Sequence, residues 1–275
     1  VSHDVVVRPI EDTTILITGA TDGLGRALAQ RLAADGARLL LHGRDQDRLD
    51  ALQEELGEQA RAFRADFASL SDVRELADAV ELDTDELHAV VNNAGIGSGL
   101  PEGRERQVSQ DGNELRFQVN YLAGYLLTER LLPLLRRSAP ARIVFVASLG
   151  QAPIDFDDVM LERNYDGSRA YSQSKLAQIA YGFALAERLP AAEVTVNSLH
   201  PSTYMPTKMV LANSVTPHDT LERGVEATLR LVTAPELDGV TGRFFDREQE
   251  AQAHPWAYDE ANRERLLALS DSLVE

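Results

Sequence analysis

Tyr171 and Lys175, in the stretch Y-S-Q-S-K, carry the first chemistry legible in this chain. On a helix these positions share one face about a turn apart. The apolar run L-A-Q-I-A-Y-G-F-A-L-A that directly follows them reads as that helix. A cation beside a phenol favours the phenolate and lowers its pKa. A tyrosine so placed can both give and take a proton near neutral pH. Alone, the pair has a simpler reading, in which Tyr171 snorkels, Lys175 is solvated and the spacing is chance.

The elements that would position such a pair follow from the alternation of short apolar runs with amphipathic stretches. T-I-L-I-T (14–18) reads as a buried strand and 25–36 as a helix ending at glycine. Further strands are expected at 37–43, 60–66, 87–95, 142–148 and 194–201. Helices are expected at 45–57, with Gly57 as C-terminal cap, at 113–135 and at roughly 169–188. Buried strands alternating with helices predict an α/β fold, a single doubly wound parallel sheet with helices on both faces. Residues 1–12 read as an N-terminal extension and 13–275 as one domain, since no linker or repeat divides the chain.

Ligands of such sheets bind beyond the C-terminal strand ends, and the residues there are distinctive. T-G-A-T-D-G-L-G (18–25) follows the first strand and opens a helix, so Gly19, Gly23 and Gly25 would let a pyrophosphate approach the backbone. The second strand ends in Gly43-Arg44, where an NAD-binding fold would carry an acid, and a guanidinium suits a 2′-phosphate. Arg44 could equally be a solvated loop residue paired with Asp45 or Asp47, and Asp22 in the glycine loop could repel a phosphate. Asp66 could accept a hydrogen bond from an adenine amine or cap the next helix. Asn92-Asn93-Ala94-Gly95 reads as a tight turn beside the cofactor. Ser148 closes the fifth strand, and Asn120 sits inside a helix, where asparagine needs a reason.

Taken together, T-G-A-T-D-G-L-G, N-N-A-G, Asn120, Ser148 and Y-S-Q-S-K occur in the order of the short-chain dehydrogenase/reductase family, which the chain resembles from about residue 12 to 246. The long gap between Ser148 and Tyr171, with its acidic insert I-D-F-D-D, and S-Q-S-K-L-A-Q after the tyrosine are similar to the retinol-dehydrogenase-like branch. The resemblance implies a Rossmann-type domain and four catalytic residues: Tyr171 as general acid and base, Lys175 lowering its pKa and bonding the nicotinamide ribose, Ser148 holding the substrate oxygen, and Asn120 positioning a water. It implies a cofactor site from Gly19, Thr21, Asp22, Gly23, Leu24, Gly25, Arg44, Asp66, Phe67, Asn93, Ala94, Gly95, Tyr171, Lys175, Pro201 and Thr203. The cofactor expected is NADP(H) rather than NAD(H). A substrate lid is expected at about 201–220, where Tyr204, Met205, Met209 and Val210 offer either apolar substrate surface or ordinary packing. H-P-S-T at 200–203 departs from the branch's usual H-P-G-T, so Ser202 would strain the loop if a positive φ is needed there. His200 and His218 lack a third partner for a metal, and His200 reads as structural. The resemblance implies a homodimer or homotetramer paired through the two long helices, although the branch includes monomers and membrane-associated members, and Leu126, Leu127, Tyr181 and Phe183 could equally face the sheet.

Composition narrows the remaining classes. A net charge of -17 and a pI near 4.8 argue against nucleic acid as a partner. With no cysteine, disulfides and thiolate chemistry are excluded, and a reducing cytoplasm is the compatible location. The opening V-S-H-D-V-V-V-R-P-I-E-D lacks the basic region and long apolar core of a secretory signal, a start equally compatible with a trimmed terminus, and no apolar run reaches membrane-spanning length. The resemblance, with the apolar residues of the expected lid, implies hydride exchange with a fairly apolar ketone, aldehyde or alcohol. A non-catalytic NADP(H) sensor and a reductase of carbon–carbon double bonds are the competing readings. The acidic stretch 246–260 is open between covering the lid and packing a helix on the sheet edge.

Overall fold

The computed structural model describes residues 8–98, 105–207, 210 and 216–275. It contains one eight-stranded sheet in the order β3-β2-β1-β4-β5-β6-β7-β8. The strands are β1 Thr14–Ile17, β2 Arg38–Gly43, β3 Ala60–Arg64, β4 Ala89–Asn92, β5 Ala141–Val146, β6 Val194–His200, β7 Arg243–Asp246 and β8 Gln249–Ala251. The helices are α1 Gly23–Ala34, α2 Gln46–Leu56, α3 Leu70–Asp83, α4 Ala123–Arg137, α5 Gly167–Arg188, α6 Leu221–Thr233 and α7 Glu260–Val274. Six of these seven helices carry a start signal in sequence: Asp22, Asp45, Ser69, Asp166, Thr220 and Asp259 accept from a backbone N–H at the start of α1, α2, α3, α5, α6 and α7, whereas α4 continues the turn before it and has no side-chain cap. Each such cap contributes about 1 kcal/mol.

The central strands read as unbroken apolar runs because both their faces are covered. On one face Leu16, Leu40 and Val90 meet α3, α4 and α5 through Leu76, Leu127 and Ile179. On the other, Ile15, Leu41 and Val91 meet α1, α2 and α6 through Leu28, Leu49 and Leu231. The chain leaves β1 toward β2 and β3 on one side and returns to β4 on the other. This reversal opens a crevice at the carboxyl ends of β1 and β4.

Two expectations are corrected. The sheet is parallel only as far as β7: β8 pairs with it antiparallel, with Asp246 opposite Gln249. Only Arg247 and Glu248 join these strands, too few for a parallel crossover, and Arg247 takes φ +57° to close the turn. The helix expected at 113–135 is not regular from its start. A π turn at Phe117–Leu122 precedes α4 and contains Asn120. Most strand ends fall one to three residues inside their expected limits, β4 by three at its end because Asn93 folds back there, while β5 begins one residue early.

The acidic stretch after β7 does neither of the two things expected of it alone. It forms β8, then a short turn at Pro255–Tyr258 that leads into α7. Trp256 packs on Phe156 of the acidic insert at 5.8 Å, and the His254 amide donates to Gln151 Oε1 at 2.6 Å. Helix α7 lies across α5 and the π turn, where the hydroxyls of Tyr121 and Ser270 meet at 2.7 Å and Tyr125 bonds Asp271. Leu126, Leu127, Tyr181 and Phe183 are all buried within this single chain. No helix among the described residues is long and apolar enough to cross a membrane.

Candidate active site

The glycine turn is built for close approach. Gly19 and Gly23 take φ of +66° and +51°, the left-handed region that favours glycine. A side-chain carbon on Gly25 would fall 2.3 Å from the Gly19 carbonyl oxygen and 2.6 Å from Asn93 Nδ2. The turn at the end of β4 holds this loop from beneath. Asn93 Nδ2 donates to the carbonyls of Thr18 (2.9 Å) and Gly19 (3.2 Å), while the amides of Asn93 and Ala94 both donate to Thr18 Oγ1 at 3.0 Å. Asp22 caps α1 through the Gly23 amide at 2.8 Å and pairs with Arg48 at 3.4 Å, so its charge faces a cation on α2. Thr207, after β6, reaches back to Gly23, whose missing side chain would meet its methyl at 3.2 Å.

At the tip of β2, Arg44 is exposed, and its carbonyl accepts from Arg64 Nε at 3.3 Å. Arg44, Arg48 and Arg64 thus gather at the ends of β2, α2 and β3. Only Arg44 stands out in the sequence; it precedes the Asp45 cap of α2, so no shared helix face ties it to Arg48. Asp66 does not cap α3. Ser69 does, through the Asp72 amide, because it is the residue immediately before the helix. One Asp66 oxygen instead accepts from the Ala68 amide at 3.0 Å, a local turn. Phe67 is buried and stacks on His42 with ring centres 4.1 Å apart.

His42 is a residue the sequence reading passed over. Its Nδ1 accepts from the Gly19 amide at 3.2 Å and its Nε2 lies 3.1 Å from the Ala65 carbonyl, which fixes the neutral tautomer with the proton on Nε2. Burial pushes its pKa down to about 4. The folded value lies below the unfolded one, so this group's contribution is present above about pH 6.5 and is lost as pH falls toward 4. We expect unfolding free energy measured by urea titration to drop by up to about 3 kcal/mol more across that window in the native protein than in His42→Gln. Parallel curves for the two proteins would sink this assignment.

The second cluster meets the first at Gly95. Ser148 follows β5 and accepts the Gly150 amide at 3.0 Å. Tyr171 and Lys175 stand in the first turns of α5, with Lys175 Nζ 5.8 Å from the phenol ring centre. Asn120 Oδ1 accepts from the Ile96 amide at 2.7 Å, and its Nδ2 donates to the Ile96 carbonyl at 3.1 Å and to Ser174 Oγ at 2.9 Å. Ser174 Oγ donates in turn to the Tyr171 carbonyl at 2.7 Å. The asparagine in a helix thus has its reason: it ties the β4 turn to the helix of Tyr171, and the helix widens to a π turn there. A side-chain carbon on Gly95 would sit 3.1 Å from Asn120 Oδ1 and 3.5 Å from Lys175 Nζ.

Electrostatics here differ from the sequence expectation. Burial pushes the Tyr171 phenol up, and the neighbouring Ser148 hydroxyl pulls it the other way. Lys175 does not hold the phenol down in this arrangement, because its amine is turned to the Val146 carbonyl (2.9 Å) and Gln178 Oε1 (3.0 Å). Burial lowers the Lys175 amine to about 7.

The loop after β6 borders both clusters. Pro201 and Ser202 are buried, and Ser202 is not among the residues with positive φ; Tyr204 is, at +52°. The serine in place of glycine is therefore unstrained, and the left-handed turn falls two residues later. Thr203 Oγ1 lies 3.0 Å from His200 Nε2 and accepts from Arg247 Nη2 at 3.1 Å. Arg247 also pairs with Asp219 at 3.3 Å, whose carboxyl the nearby Ser202 hydroxyl helps hold down to about 2. Met205 packs into the second core against Gly224, so it is packing rather than open substrate surface. Tyr204 is exposed beside the His218 ring at 5.7 Å, Val210 is half-buried, and Met209 lies outside the described residues. Leu149, next to Ser148 and 49% exposed, is an apolar residue at the site that the sequence reading did not single out.

Comparison with known proteins agrees with this fold. A family model described as short chain dehydrogenase matches residues 13–216. Human retinol dehydrogenase 14 is 36% identical over 95% of this chain and 86% of its own. Among solved structures, a putative uncharacterized protein from Mycobacterium paratuberculosis superposes with a TM-score of 0.80 at 27% identity, covering 98% of this chain and 96% of that one. A 3-ketoacyl-(acyl-carrier-protein) reductase from Brucella melitensis, solved with NADH, gives a TM-score of 0.69 at 25% identity over 86% of this chain and 97% of that one.

Proposed function

The chain belongs to the short-chain dehydrogenase family, in its retinol-dehydrogenase-like branch, and we propose that it is an NADP(H)-dependent oxidoreductase of apolar ketones, aldehydes or alcohols. The observation that carries the reading is the convergence of Asn120 and Lys175 on Gly95, one turn of α5 from Tyr171 and beside Ser148. The residues fit a dinucleotide. The glycine turn of Gly19, Thr21, Asp22, Gly23, Leu24 and Gly25 opens α1, whose first-turn N–H groups favour phosphate. Arg44 would face the 2′-phosphate, Asp66 and Phe67 the adenine, Asn93, Ala94 and Gly95 the ribose side, and Pro201 and Thr203 the nicotinamide. The bound cofactor supplies or accepts the hydride, and the protein supplies position and proton.

In the reductive direction the Tyr171 hydroxyl gives its proton to the substrate oxygen, and the Ser148 hydroxyl orients that oxygen. A phenol raised by burial stays protonated at neutral pH, which suits a proton donor. In oxidation the phenolate must form first, and a charged Lys175 amine turned toward the phenol would stabilise it. Leu149 and Tyr204 give the site an apolar border, which supports an apolar substrate. The test is loss of the nicotinamide absorbance with NADPH and, separately, NADH against a panel of apolar ketones and aldehydes. Turnover with NADPH is expected. Tight NADPH binding with no turnover on any carbonyl would favour the sensor reading instead.

A further inference from the structure

Lys175 and Lys208 are the only lysines in a chain whose 27 Lys and Arg residues are otherwise arginine. A lysine kept at this site in an arginine-using protein points to a property arginine lacks. Its charge sits on one compact atom and can be tuned by its surroundings. Those surroundings are well defined. Nζ is carried into the protein interior, where the residue is 4% exposed, and makes two hydrogen bonds, both to neutral oxygens. One is the Val146 carbonyl at the end of β5. The other is the side-chain oxygen of Gln178, one turn further along α5 and itself 2% exposed. An ammonium has only donors, so the glutamine amide must present its oxygen to it.

We propose that Gln178 is a positioning residue for the catalytic lysine: its amide oxygen, with the Val146 carbonyl, aims the Lys175 ammonium at the Gly95 turn and leaves its third N–H for the cofactor ribose. The proposal rests on the reading that Lys175 serves hydride transfer. No carboxylate among the described residues pairs with this amine, and Tyr171 is the titratable group that faces it, at 5.8 Å from the ring centre. From β5 it meets the Val146 carbonyl, and a side-chain carbon on Gly95 of the β4 turn would lie 3.5 Å from it; neither group titrates. The Gln178 oxygen is therefore one of two hydrogen-bond acceptors that offset desolvation of the charged form, and its loss has no ionic substitute.

With two lysines, protein labelled with [ε-13C]lysine gives two side-chain signals, and Lys208→Arg assigns them. The Lys175 titration midpoint can then be read directly by NMR, without substrate. Gln178→Met keeps length and removes the acceptor; its midpoint is expected about one pH unit below that of the native protein. Gln178→Glu should move it up by a similar amount or more. A midpoint unchanged within a few tenths of a unit in a folded Gln178→Met protein would overturn the proposal. If that variant does not fold, a Gln178→Glu midpoint that fails to rise overturns it equally. Turnover of Lys175→Met separates the two layers: full activity there removes the catalytic reading, whereas loss of activity with an unmoved Gln178→Met titration removes only the role of Gln178.

Discussion

Tyr171→Phe should lose carbonyl reduction by about 10³-fold in kcat/KM while binding NADPH as the native protein does. Only one hydroxyl is removed, and it is the proton source nearest the Ser148 hydroxyl and the α5 lysine. The helix should not notice the change. Its local anchor is the Tyr171 carbonyl bonded by Ser174 Oγ, and Asn120 holds that serine through a side-chain bond that phenylalanine leaves intact. Fluorescence titration of NADPH and thermal unfolding should therefore match the native protein. Activity within tenfold of native would sink the acid role, and a matching fall in NADPH affinity would mean that the phenol had been placing the cofactor instead.

The second large effect is expected at Arg44. Its guanidinium is exposed at the β2 tip, with Arg48 and Arg64 close by, and the neighbouring acid, Asp45, is engaged in capping α2 and pairing with Arg48. Arg44→Ser should weaken NADPH by about 10- to 100-fold, the range of a charge-assisted bond to phosphate, and leave NADH nearly unchanged. Raising the salt concentration should shrink the native preference for NADPH, since an exposed pair is screened. The Arg64→Ser protein is the informative control. If it loses NADPH and Arg44→Ser does not, the phosphate is read from β3. A native protein that prefers NADH would defeat the whole assignment.

Much of this molecule was legible from residue order. The alternation of apolar runs and capped helices gave the layers, because a buried strand and an amphipathic helix have different hydrophobic periods. The glycines of the first turn were legible because a close backbone approach has few other solutions, and the clash distance at Gly25 bears that out. Asn120 could be flagged as odd in a helix, yet its purpose could not be read. Its partners are Ile96 and Ser174, and they come near only when the β4 turn and α5 pack together.

The same limit explains the misses. Nothing local marks His42 as the acceptor for the glycine loop, since that bond joins strand ends 23 residues apart. Gln178 shares a helix face with Lys175, but its burial, which makes it an inward acceptor rather than a surface amide, is set by tertiary packing. The antiparallel β8 was hidden because a strand of three residues has too little pattern to register. Ser202 was expected to strain its loop only if a positive φ fell there, and the left-handed residue of that loop is Tyr204. The sequence by itself determined the fold class, the family and the residue types available for proton and hydride chemistry, all of which depend on local spacing. Tertiary structure decided which way the Lys175 amine points, that burial outweighs it at Tyr171, and that Asp22 meets Arg48, because charge and desolvation act through distances that chain order does not contain.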